Sequence, residues 1–260
     1  MSFETIEVET VDRVRFLTLN RPAVLNAMNR KCVLECTQAV REGELDAGVR
    51  VIVFRGAGER AFTAGADISE IQTFGPIDIL EYNRDWLDLF RRIEICRKPV
   101  VAAVRGWATG GGTELSLACD FVLCGRSARF GLAEINIGVI PGAGAGVRLT
   151  RWLGRLKAKE MLMLGRLLEG EEAVAWEIAN RCVPDEVLAD AVNDLCTDLV
   201  RRAPLALAAA KASINIGSEA SIDVAMEYEL QEFARLFATK DQKEGMAAFL
   251  QKRKPVYQGR

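Results

Sequence analysis

The chain has 260 residues, half of them hydrophobic, enough to bury a core and consistent with one or two domains. Its 34 basic and 36 acidic residues leave a net charge of −2 with no basic stripe, which sets nucleic acid aside as a partner. Histidine is absent, so Ser-His-Asp and Cys-His catalysis and HExxH zinc sites are excluded, and acid–base work falls to carboxylates, Lys, Tyr or Cys.

Residues 6–10 and 13–19 alternate apolar and polar around Val11 and Asp12 and predict a β-hairpin, ended by Asn20-Arg21-Pro22. Asn26 is the predicted N-cap of a helix over residues 27–46, with Met28, Val33, Leu34 and Val40 towards the core. Residues 49–54 form a β-branched strand. Residues 61–67 follow as a small-residue loop, and Asp67 is placed to cap the next helical turn. Residues 78–95 have helical periodicity; Tyr82 and Trp86 there are candidates for a ligand pocket and equally for the core. Residues 98–104 and 121–124 read as strands on either side of a glycine loop and a short apolar helix, 113–119. Beyond residue 147 the pattern is all helix, over 147–168, 171–179, 187–201, 205–215, 221–239 and 241–253, with Pro184 and Pro204 between elements. A faint strand, turn, strand, helix repeat runs through the first two-thirds.

The seven cysteines lack CxxC spacing and are expected to be reduced, mostly buried thiols rather than disulfides or metal ligands. The N-terminal residues lack a signal or transit pattern, and the apolar runs are too short to span a bilayer. The expectation is a cytoplasmic protein without a membrane segment.

The stretch from 102 to 144 organises the rest. Gly110, Gly111 and Gly112 open onto the 113–119 helix and leave backbone N–H groups uncovered at the positive end of its dipole. Such a loop can hold a phosphate, a carboxylate or a developing oxyanion, or can simply allow backbones to pack tightly. A second small-residue loop, Ala64-Gly65-Ala66, follows a strand end, and one amide from each loop would make an oxyanion hole if the strands bring them together. Glu114 lies two residues past the glycines and Glu134 lies in a mostly apolar run. Both are candidates for partly buried carboxylates with shifted pKa.

These segments, taken in order, resemble the enoyl-CoA hydratase/isomerase (crotonase) superfamily over essentially the whole length. The matching residues are Leu19–Pro22 with Leu25–Met28, Ala61–Ile68, Lys98–Val100, Gly110–Glu114, Ala118–Asp120, Phe130 and Gly131 with Glu134, Gly138–Gly142, and Lys243–Phe249 with Lys252–Lys254. The resemblance implies an α/β fold, a spiral of ββα turns (residues 1–198) that carries the active site. A C-terminal helical region (199–260) would then build homotrimers, often paired as hexamers. It implies that the amides of Ala66 and Gly111 hold an acyl-CoA thioester carbonyl. Ala64, Gly65, Ala66, Asp67 and Ile68 would lie along CoA, and Phe249 and Lys252 would help hold its adenine end, partly from a neighbouring subunit. Glu114 and Glu134 match the two glutamates of hydratases, whereas simple isomerases typically keep only the second; Gly142 matches an amide that places the water. The implied activity is hydration of a trans-2-enoyl-CoA to a 3-hydroxyacyl-CoA, with no metal and no cofactor beyond the CoA of the substrate. Isomerase, another acyl-CoA lyase and a catalytically inactive member are the alternatives. Two departures stand out: Ala145-Gly146-Val147 where many members have Gly-Thr-Gln, and Ala23 where hydratases often carry a basic residue that touches CoA phosphate.

Overall fold

A computed structural model describes residues 3–260. Strands β1 (Ile6–Val11) and β2 (Val14–Leu19) form the expected hairpin. Asp12 and Arg13 between them both have positive φ, the geometry of the type I′ turn that matches strand twist in a two-residue loop. Helix α1 (Arg30–Leu45) leads to β3 (Val51–Gly56). From there the chain winds in coils, each made of a strand, a sharp turn and a shorter strand. The first coil is β3, β4 (Ala61–Thr63), the single turn α2 (Ile68–Ile71) and α3 (Pro76–Ile95). The second is β5 (Val100–Val104), β6 (Trp107–Thr109) and α4 (Gly111–Ala118). The third begins with β7 (Phe121–Gly125) and β8 (Arg129–Gly131). It continues through α5 (Ala145–Leu153), α6 (Arg155–Leu164), β9 (Leu167–Glu169), α7 (Gly170–Ala175) and β10 (Arg181–Val183). Helices α8 (Leu188–Val200), α9 (Pro204–Gly217), α10 (Ile222–Leu236) and α11 (Lys240–Leu250) complete the chain.

Winding in this way produces two sheets. The six-stranded sheet has the order β1-β2-β3-β5-β7-β10, parallel except for the hairpin, and the four-stranded sheet has the order β4-β6-β8-β9. The central strands of the larger sheet, β3, β5 and β7, are covered on both faces, as their continuous apolar runs require. Ile52, Phe54, Ala102 and Val104 face the main core, with α1 and α3. Val51, Val53, Val101 and Leu123 face α8, through Leu188, Val192, Cys196 and Leu199. No helix among the described residues is long and apolar enough to cross a membrane.

Several expectations need correction. Asn29, not Asn26, caps α1, its side chain accepting from the Cys32 N–H. Asn26 is buried in a left-handed conformation, where it accepts from the Arg21 N–H and donates to the carbonyls of Ala57 and Ala61. Leu34 is exposed. The region after residue 147 is not all helix, because β9 and β10 interrupt it and Gly154 breaks the 147–168 segment into α5 and α6. All seven cysteines are free thiols.

Candidate active site

The site gathers at the N-terminus of α4, where the short strands of two coils end side by side. Thr113 ties α4 down: its hydroxyl contacts the Ala108 carbonyl at 2.6 Å and the Gly131 N–H at 3.0 Å, joining β6 and β8. The loop after β4 is tied to the same place by Thr109, which donates to the Ala64 carbonyl at 3.2 Å. It is also stitched to the chain after Asn26. Met28 N–H donates to the Gly65 carbonyl (2.7 Å) and Asp67 N–H to the Met28 carbonyl (3.1 Å), a parallel bridge that turns the Ala66 N–H away from Met28. Gly111 is the first helical residue of α4, so its N–H has no intrahelical acceptor. The two loops touch, since a Cβ on Gly111 would lie 3.5 Å from the Gly65 Cα. Adjacent strands stand about 4.8 Å apart. Two amides at that spacing can both donate to one oxygen at about 2.9 Å.

Glycine is required at two of these positions. Gly110 has φ +54°, and a Cβ there would meet Glu134 Oε1 at 2.9 Å. At Gly111 a Cβ would meet two ring carbons of Trp86 at 2.7 Å. Trp86 and Tyr82 are core residues of α3 and at the same time back this loop; the Tyr82 hydroxyl donates to the Met28 carbonyl at 3.2 Å.

Glu114 is only 3% exposed, in the first turn of α4. Its Oε1 accepts from the Ala143 and Ala145 N–H groups, both at 3.0 Å. Ala145 opens α5, so the carboxyl occupies that helix's N-terminus, where an anion is favoured. Burial nevertheless dominates and pushes the Glu114 pKa up to about 7; the Ala145 N–H opposes the shift, the Glu134 charge adds to it, and the Ala143 N–H and Arg148 oppose it. Glu134 starts a 3₁₀ turn (Glu134–Ile137), and its Oε1 lies against Gly110. Its pKa is also raised by burial, and its Oε2 is buried with no hydrogen-bond partner. Two protonatable carboxyls thus flank a pair of uncommitted amides. The arrangement can take a proton at one point and give one at another while stabilising negative charge on an oxygen between them.

The remaining candidates fall around this centre or outside it. Gly142 lies on the loop that leads to the Ala143 amide, and a Cβ there would strike the side-chain amide of Asn83 on α3. The Asp67 side chain is committed to Arg21 Nη1 (2.9 Å) and to capping α2 through Ser69, and its backbone N–H and carbonyl are already paired with Met28 and Glu70. Ile68 is exposed beside it. Phe249 is 83% exposed on α11 and Lys252 follows that helix; neither hydrogen-bonds to a residue of the site. Ala23 is exposed in the 3₁₀ turn Pro22–Val24. The Ala145-Gly146-Val147 run still delivers its amide to Glu114. Asn83, the Glu94–Arg148 pair and the Ala143 and Ala145 amides were not singled out as site residues. An amide's direction carries no mark in the side-chain pattern, and Arg148 lies within an ordinary helical run.

Comparison with known proteins identifies the family. The family model for enoyl-CoA hydratase/isomerase matches residues 9–260. A probable enoyl-CoA hydratase of Rhizobium meliloti is 41% identical over all of both chains. A crotonyl-CoA hydratase of Syntrophomonas wolfei is 38% identical over 98% of each. The crystal structure of an enoyl-CoA hydratase from Bacillus anthracis superposes with a TM-score of 0.95 at 33% identity, over 99% of this chain and 100% of that one. With its coiled two-sheet fold and full-length relatives, the chain belongs to the enoyl-CoA hydratase/isomerase family.

Proposed function

We propose that the protein is an enoyl-CoA hydratase that adds water to a trans-2-enoyl-CoA to give the 3-hydroxyacyl-CoA. The observation that carries this reading is the pairing of the buried Glu114 and the half-buried Glu134, both with raised pKa, with the amides at the start of α4. The Ala66 and Gly111 N–H groups hold the thioester carbonyl. Glu114 takes a proton from water as the water oxygen bonds to Cβ, and the π electrons move towards the carbonyl oxygen to give an enolate. The protonated Glu134 delivers its proton to Cα as the enolate collapses. Proton exchange with solvent then resets both groups. Each oxyanion donor supplies about 3–4 kcal/mol, and positioned acid–base groups add roughly 10²–10⁴-fold. The Glu134 charge adds to the raised pKa of Glu114, so the ionisation of one carboxyl bears on the other. The chemistry asks for no group beyond the CoA that arrives with the substrate.

Relatives named as short-chain-enoyl-CoA and crotonyl-CoA hydratases support a short acyl chain. The Ala64–Ile68 loop serves CoA mainly through its backbone. Phe249 and Lys252 serve the adenine end of a site on a neighbouring subunit, which accounts for their exposure in the single chain. Residues 199–260 then form an oligomerisation region on the core of residues 1–198.

Incubation with crotonyl-CoA, followed by loss of the conjugated thioester absorbance, tests the activity; no loss rejects it. Glu114→Gln keeps the shape and removes the base, so kcat should fall roughly 10²–10⁴-fold with a smaller change in KM, and Glu134→Gln should do comparable damage. The double variant should be far less impaired than the product of the singles. Double-bond migration that survives Glu114→Gln would instead mark an isomerase.

A further inference from the structure

Glu114 is held by a loop, and that loop is held by Arg148. Arg148 lies in the first turn of α5, where the helix dipole disfavours a cation, and Glu94 lies in the last turn of α3, where it disfavours an anion. Both side chains are largely buried. Each charge thus opposes its own helix, and the two offset one another: Arg148 Nε and Nη2 donate to Glu94 Oε1 at 2.8 and 2.6 Å. The guanidinium also packs over the Phe90 ring, 5.7 Å from its centroid. Its remaining arm turns back to the loop, Nη1 donating to the Ala143 carbonyl at 2.9 Å. Gly144 makes room for this; a Cβ there would lie 2.5 Å from Nη1. The backbone from 143 to 145 is therefore gripped from two sides. Its carbonyl face is held by Arg148, and its N–H groups at Ala143 and Ala145 hold Glu114 Oε1.

We infer that Arg148, oriented by Glu94, is a positioning residue for hydration: it fixes the 143–145 backbone so that two amides orient the Glu114 carboxylate towards the water. The inference rests on the reading of Glu114 as the base. A planar guanidinium suits the task because one arm can grip a carbonyl while the others stay on a carboxylate, which a lysine cannot reproduce. Arg148 also acts through its charge. Of the charged groups around Glu114, Glu134 raises its pKa and Arg148 lowers it. From α3, Glu94 faces Arg148 rather than Glu114, and Arg91 lies 3.9 Å from Glu94. The packed strands β4 and β6 carry no charged residue, and Arg129 of β8 pairs with Glu169.

Arg148→Gln removes both the grip and the charge. In the full-length protein it should lower kcat on the order of 10-fold or more, with a smaller change in KM, and move the acid limb of the kcat profile to higher pH. Arg148→Lys should keep the acid limb near that of wild type while kcat stays reduced, because the charge returns without the fork. Isotope-edited infrared titration of the Glu114 carboxyl, identified by difference against Glu114→Gln, reads the same shift without substrate. It therefore separates the two claims: a wild type that does not hydrate crotonyl-CoA overturns the functional reading, whereas the infrared shift still reports on Arg148. A folded Arg148→Gln with wild-type kcat and an unmoved Glu114 titration overturns the inference. If Arg148→Gln does not fold, wild-type kcat in Arg148→Lys overturns it.

Discussion

Glu114 is costly to keep ionised. Its carboxyl, ordinarily at 4.5, is pushed up to about 7 in the folded chain. The folded state therefore holds the proton more tightly than the unfolded state does. Stability is highest below the unfolded value and falls as pH rises through the folded one, by up to about 3 kcal/mol. Glu114→Gln cannot ionise and escapes this loss. Its melting temperature should exceed that of wild type at about pH 8, with the gap closing near pH 4. A constant difference across that range would mean that the carboxyl is not responsible. Gly111→Ala probes the opposite wall. The added methyl meets the Trp86 ring at 2.7 Å and pushes the α4 amide out of line, so turnover should drop on the order of 10²-fold while far-ultraviolet circular dichroism is unchanged. Of these residues the two glutamates and the glycines stand out in the sequence by chemical type. The amides of Ala143 and Ala145 do not, since every residue but proline carries an N–H.

Between elements, one largely buried cation does much of the joining. Lys211 of α9 donates to the Ile93 carbonyl at 2.7 Å and to Asp120 Oδ2 at 2.7 Å, and the same Asp120 oxygen accepts from the Val100 N–H at 2.7 Å. Helix α9 is thereby fastened to the end of α3, the start of β5 and the link from α4 to β7. Lys211→Met strands Asp120 and should cost about 3–5 kcal/mol in urea unfolding. Adding Asp120→Asn should recover part of that loss, and strictly additive effects would show that the pair is not coupled. The longer elements were readable because they carry a full period: α3 through Tyr82, Trp86, Leu89 and Ile93, and the hairpin through its alternation. Strands β4, β6, β8, β9 and β10 have three residues each, too few for a repeat of two to register. Asn26 resembled a cap because a short polar residue preceded an apolar run. Its amide is instead used inside the fold, where it meets two carbonyls.

At the scale of the molecule, the C-terminal helices present a surface that one chain does not cover. Ile222, Leu230 and Phe233 of α10 and Met246, Phe249 and Leu250 of α11 are all exposed. Exposed apolar patches of this kind commonly bury against another copy of a chain, with closed rings the common outcome. Light scattering should give a trimer or a dimer of trimers, and a stable monomer at micromolar concentration would count against it.

The coiled backbone also acts as a ruler. Successive turns of the spiral place β4, β6 and β8 next to one another in the small sheet, β6 and β8 in continuous register and β4 joined to β6 through a one-residue bulge between Ala61 and Thr63. The segments following those three strands carry, in the same order, Ala66, then Gly111 with Glu114, then Glu134. Sequence order therefore becomes spatial order in steps of about 4.8 Å. A change of chain length at the far edge of a coil leaves these marks alone. Slipping one short strand by a single residue moves its mark about 3.3 Å along the strand, more than the length of the hydrogen bond it has to make.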